Sequence, residues 1–210
     1  MQNGQVYADT WTYVVTDIET DGPCPGVNSM RSSASVAVDA RGTEIGIFEA
    51  VFEPLPGAAP NELTLAWFTS EHPAAWAAAT TDPLPAPVVM ADFAQWVASL
   101  PGPRAFAACP VTFDGLWIDY YLRRFTCFSL QPGPYETDRI FDGPGLCLRS
   151  YAAAVTGLPV AVAGPESLPA QWLGDVPHTH RAIDDAKGYA NLLGELFRRA
   201  QSRGTHSAGA

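Results

Sequence analysis

Lysine is nearly missing from this chain. Lys187 is the one lysine among 12 basic residues, which face 22 acidic residues for a formal charge of −10. Contacts along a nucleic-acid backbone need Lys and Arg, so this balance argues against a protein that coats long duplexes. Long apolar runs are also lacking. The richest segment, Pro85 to Val111, is interrupted by Asp92, Gln95, Arg104 and several prolines, which speaks against a transmembrane helix. Met1-Gln2-Asn3-Gly4-Gln5 has neither the basic nor the apolar block of a secretion signal. Cys24, Cys109, Cys127 and Cys147 include no Cys-x-x-Cys pair and read as reduced thiols. The expectation is a cytoplasmic protein without a membrane segment.

What is present is a globular composition, 47% hydrophobic and 16% charged over 210 residues, enough for one domain with a full core. Residues 1–10 and 203–210 read as flexible tails around a domain spanning 11–202. Tyr13 to Ile18 is a β-branched and aromatic run, predicted as a central strand. Ser35–Val38 and Ile45–Phe52 flank Ala40-Arg41-Gly42 and predict a hairpin. One or two short helices fall between residues 54 and 80. Val89, Phe93, Trp96, Val97 and Leu100 predict a helix that Pro101 and Gly102 end. A short strand over Arg104–Cys109, a helix to Phe125, a strand near Arg139–Phe141 and a helix over Leu146–Val155 follow. Ile183, Ala186, Ala190, Leu193 and Phe197 stripe a long last helix. Three strands followed by alternating helices and strands predict a mixed sheet with helices on its faces.

Three ordered stretches carry candidate chemistry. Asp17 and Glu19 end the first strand, two residues apart and therefore on one face. Phe113-Asp114 opens a helix. His180 and Asp185 open the last one, with Asp184 as the neighbouring alternative and His178 as a second imidazole. Four carboxylates can hold two cations about 3.5–4 Å apart, as paired divalent ions require for phosphodiester hydrolysis. A histidine nearby can take a proton near neutral pH. Each stretch alone has a plainer explanation: an acidic turn, a favourable helix start, a helix-start histidine paired with Asp184. Asp119 reads as a partner for Arg123. Trp67-Phe68 could stack on nucleobases or fill the core.

Together and in this order, the motifs resemble the DEDDh 3′–5′ exonuclease superfamily over about residues 12–200. Val15-Thr16-Asp17-Ile18-Glu19-Thr20-Asp21-Gly22 and His180-Arg181-Ala182-Ile183-Asp184-Asp185-Ala186 are similar to its first and third motifs, and Thr112-Phe113-Asp114 to its second. Cys109 and Pro110 stand where the family commonly has a His-Asn pair. The resemblance implies an RNase H-like fold, an α/β five-stranded mixed sheet with three antiparallel strands and then parallel ones, flanked by helices. It implies two Mg²⁺ or Mn²⁺ ions on Asp17, Glu19, Asp114 and Asp185, with His180 as general base. Thr20, Asp21 and Gly22 would meet the terminal nucleotide, and Trp67, Phe68, Phe113 and His178 are further substrate candidates. The implied substrate is single-stranded or short DNA or RNA with a free 3′ end, cleaved to nucleoside 5′-monophosphates. A homodimer is compatible with the family. An oligoribonuclease or proofreading subunit is the specialist alternative, and a non-catalytic nucleic-acid or protein-binding module is the alternative of another class.

Overall fold

The run beginning at Thr12 does form the middle strand. In the computed structural model, which describes residues 10–207 and side chains as far as Ser202, the strands are β1 (Thr12–Thr20), β2 (Met30–Asp39), β3 (Glu44–Val51), β4 (Arg104–Ala108) and β5 (Leu146–Cys147). They make one sheet in the order β3-β2-β1-β4-β5. β1, β2 and β3 pair antiparallel, whereas β4 and β5 join in parallel. The helices are α1 (Glu62–Glu71), α2 (Pro73–Ala78), α3 (Ala86–Ser99), α4 (Val111–Phe125), α5 (Leu148–Thr156) and α6 (Ala182–Ser207). The sheet is therefore mixed and flanked by helices, as the resemblance implies.

Alternation along β1 decides which side each residue serves. Val14 and Ile18 pack with Val89, Phe93, Trp117 and Tyr121 of α3 and α4. Val15 points the other way, into Leu148, Ala152, Ala186 and Leu193 of α5 and α6. Both faces of the sheet are thus covered, and burying each such aliphatic or aromatic side chain stabilises by about 1.5–3 kcal/mol. The Tyr121 hydroxyl also accepts the Met30 amide at 2.8 Å, tying α4 to β2. Two glycines permit one close crossing. A Cβ on Gly42, at φ +81°, would meet the Gly194 Cα at 2.8 Å, so the β2–β3 turn can lie directly on α6.

The structure departs from expectation at the fifth strand. Ile140 and Phe141 do not form it; they are buried core residues on the α4 side. The Asp142 carboxylate accepts the Arg104 amide at 2.9 Å, filling a position that strand pairing would use. Pairing with β4 occurs further on, Leu146 against Ala107 and Cys147 against Ala108. Three 3₁₀ turns, Val160–Val162, Pro165–Ser167 and Ala170–Leu173, lead from α5 towards α6. Their spacing carries no periodicity that a sequence reading could detect. α6 continues to Ser207, beyond the expected tail boundary, while the tail residues 1–9 and 208–210 lie outside the described residues. Among the described residues no helix is long and apolar enough to cross a membrane. All four cysteines are free.

Candidate active site

The site begins with an unequal length of pairing along β1. Parallel pairing with β4 stops at Val15, whereas antiparallel pairing with β2 continues to Thr20. The last residues of β1 therefore have one free edge, at the carboxyl end of a central strand, where open α/β sheets bind ligands. Asp17 and Glu19 share the Val15 face, and their β2 partners are the small residues Ala34 and Ser32, which leave room above them. Both carboxylates are buried, at 8% exposure.

Two helices bring the remaining acids. Asp185, in the first turn of α6, has an oxygen that lies together with one each from Asp17 and Glu19, all within 4.8 Å of one another. Asp114, in the first turn of α4, is 3% exposed. Burial pushes its pKa up to about 7, and the amides of Asp114 itself and of Ile18 oppose that rise. The Ile18 amide sits between Asp17 and Glu19 in sequence, so this contact places Asp114 at the free edge of β1. Asp17 is raised well above the usual carboxylate range, first by burial and then by Asp114, Glu19 and Asp185. Glu19 is raised by burial and by Asp185 and Asp114. Burying several carboxylates together is unfavourable unless cations neutralise them.

The loop before α6 resolves the ambiguity between the two adjacent aspartates. Asp185 accepts the Thr179 amide at 3.1 Å and lies 2.9 Å from His178 Nδ1. Asp184 instead accepts the Thr179 hydroxyl at 2.8 Å and faces Arg181 at 3.8 Å. His180 adopts φ +58°, in the left-handed region. Its ring is met by those of His72 at 4.2 Å, His178 at 4.3 Å and Trp67 at 4.9 Å between centroids. Hydrogen bonding to Asp185 raises the His178 pKa. Burial lowers that of His180, reinforced by His178 and His72.

The other expected substrate residues separate. Trp67 keeps 40% of its surface exposed and Phe113 39%. Phe68 is corrected to core: at 2% exposure it packs beneath Trp67 and against Trp76, with no face left for a base. Thr20 donates its hydroxyl to the Gly22 carbonyl at 2.9 Å. The Asp21 side chain is consumed locally, accepting the Ser29 amide at 2.6 Å beside Arg31 at 3.7 Å. A Cβ on Gly22 would strike Asn28, so Thr20–Gly22 offers backbone more than side chains. Asp119 accepts from Arg123 at 2.8 Å, one helical turn away. Cys109 is buried, which pushes its thiol up to about 12. His72 went unread in the sequence. Its signal was thin, one of four histidines at the junction of two helices, just before Pro73.

No protein-family model matches the chain, and no curated protein matches it in sequence. Solved structures do match. Escherichia coli exonuclease I in complex with a dT13 oligonucleotide has a TM-score of 0.63 at 16% identity, over 93% of this chain and 43% of that one. The 3′-exonuclease solved in recognition of a histone mRNA stem-loop 3′ end gives a TM-score of 0.63 at 11% identity, covering 91% and 83% of the two chains. The nuclease domain of 3′hExo, a DEDDh family member bound to rAMP, gives 0.59 at 11% identity over 91% and 93%.

The chain shares its fold with these 3′-exonucleases. This chain spans less than half the length of exonuclease I, but nearly all of the 3′hExo nuclease domain. Within this fold, four carboxylates and three imidazoles gather near the meeting of β1, α4 and α6.

Proposed function

We propose that the chain is a metal-dependent 3′–5′ exonuclease of the DEDDh superfamily, acting on single-stranded or short nucleic acid. One observation carries this reading: Asp17, Glu19, Asp114, Asp185 and His180, separated by up to 168 positions, converge from three elements and the loop before α6 on one corner of the sheet. The donor set fits hard divalent cations such as Mg²⁺ or Mn²⁺, because its ligands are carboxylate oxygens crowded enough to repel one another. Asp17, Glu19 and Asp185 would hold one ion, with Asp17 shared and Asp114 serving the second. A bound pair would stabilise the attacking and leaving oxygens of an in-line displacement at phosphorus.

The chain's own residues supply the rest. His180 is the general base, since burial and two neighbouring imidazoles favour its neutral form, which can accept a proton from water. His178, hydrogen-bonded to Asp185, holds that carboxylate in orientation. The exposed ring of Trp67 offers a stacking face for the terminal base, and the Thr20–Gly22 backbone is a further candidate contact for the terminal nucleotide. An acidic chain with one lysine suits a strand end threaded into a pocket rather than a duplex gripped along its length. The ligands named for the matching structures, a dT13 oligonucleotide and rAMP, support both deoxyribose and ribose as candidates. Residues 11–202 constitute the proposed catalytic unit, and a reducing cytoplasmic setting remains the proposed location.

The test is incubation of the purified protein with Mg²⁺ or Mn²⁺ and 5′-labelled DNA and RNA oligonucleotides. Stepwise shortening from the 3′ end is expected, and comparing dinucleotides with long strands separates an oligoribonuclease-like enzyme from a proofreading one. Absence of product on every substrate would overturn the reading in favour of a non-catalytic binding module.

A further inference from the structure

His178, His180 and Asp185 each offer one ligand atom, and these three atoms lie within 4.8 Å of one another. This set shares Asp185 with the all-carboxylate group of Asp17, Glu19 and Asp185, yet its chemistry differs. Carboxylate oxygens suit Mg²⁺ and Mn²⁺, whereas imidazole nitrogens suit Zn²⁺ and its later first-row neighbours. Two histidines and one carboxylate with a position left open is a recurring zinc arrangement. We propose that His178, His180 and Asp185 form a second cation site, selective for Zn²⁺-class ions, that overlaps the carboxylate site through Asp185.

The protein holds these ligands close to position. His178 Nδ1 lies 2.9 Å from one Asp185 oxygen, and the Thr179 amide fixes the other at 3.1 Å. The His180 ring stands 4.3 Å from that of His178 and is backed by His72 and Trp67 at 4.2 and 4.9 Å. Such support around a ligating imidazole changes metal affinity by roughly 10–100-fold in other sites. Two neutral imidazoles and one carboxylate leave a divalent ion with one net positive charge. A proton on either ligating nitrogen passes to solvent as the ion binds. Occupation takes the lone pair of His180 and draws Asp185 from the carboxylates. Under the exonuclease reading, on which this consequence rests, Zn²⁺ is then an inhibitor acting at the general base.

The experiment is calorimetric titration of Zn²⁺ into the full chain in buffer containing excess Mg²⁺. Asp17→Asn with Glu19→Gln dismantles the all-carboxylate group and leaves the imidazole set whole, and His178→Ala does the reverse. One Zn²⁺ should bind to the parent and to the double variant, and affinity should fall by about tenfold or more in His178→Ala. Co²⁺ in place of Zn²⁺ should give the visible d–d absorption of a four- or five-coordinate nitrogen-containing site, lost in His178→Ala. Far-UV circular dichroism checks folding, and His180→Ala replaces any His178 variant that fails to fold. Equal Zn²⁺ affinity in parent and imidazole variant, or loss of binding in the double variant, overturns the proposal. Zinc binding without nuclease activity would overturn the exonuclease reading alone, and nuclease activity without zinc binding the second site alone.

Discussion

His178 Nδ1 stands 2.9 Å from Asp185 Oδ2, while His180, two residues on, lies against His178 and His72. Hydrogen bonding to Asp185 raises the pKa of the first imidazole, and burial, reinforced by His178 and His72, lowers that of the second. Neighbouring histidines of one loop thus sit in different surroundings: His178 is bonded to a carboxylate, and under the proposed function His180 is the general base.

The two histidines should separate in kinetics. His180→Ala is expected to lower kcat by about 10²–10⁴, the usual span for a general base. The acid limb of the pH–rate profile should lie below 6.5, the ordinary imidazole value, because the His180 pKa is lowered. Steady-state rates on a 5′-labelled oligonucleotide from pH 5 to 9 check both. Full activity in His180→Ala would move the role to His178 or to solvent.

Stability without metal should fall as pH rises. Asp114 has its pKa raised in the folded state to about 7, so between 3.8 and about 7 folding retains a proton that unfolding releases. Its contribution is therefore fully present below 3.8 and lost by about pH 7. Asp17 and Glu19, also raised, act in the same direction. His178, raised as well, stabilises below 6.5 and loses that contribution as pH passes its folded value. Melting temperatures in a chelator should decline from about pH 5 to 8, and Asp114→Asn should flatten part of that slope. A melting temperature rising over that range would contradict the assignment of crowded carboxylates.

Divalent ions should restore what the carboxylates cost. Mn²⁺ at about a hundred times its Kd should add roughly 2.7 kcal/mol, and about 1 kcal/mol moves Tm by some 2–4 °C in a domain of this size. Asp17→Asn should abolish both this shift and turnover. Thermal melts with and without Mn²⁺ measure the first, and oligonucleotide cleavage the second.

Trp67 and Phe68 are adjacent but should fail differently. Trp67→Ala removes a ring with 40% exposure and should raise KM for oligonucleotides, with little loss of stability. Phe68→Ala empties a buried position and should cost about 3–5 kcal/mol, read by denaturant unfolding. Equal effects of the two on KM would return Phe68 to the substrate face.

Much of this was written locally. The alternation of Val14, Val15 and Ile18 and the spacing of Asp17 and Glu19 identify a central strand with two acids on one face. The stripe from Ile183 to Phe197 identifies α6, because helical and strand periods repeat over a few residues. The types and order of the candidate ligands were therefore set before any folding. Tertiary structure decided the rest. It chose Asp185 over Asp184 through Thr179, turned Asp21 onto Ser29, and placed Phe68 under Trp67. It delayed the fifth strand to Leu146 and carried His72 beside His180, 108 positions away in the chain. Those outcomes depend on which elements pack across one another, and no short window of residues contains both sides of such a contact.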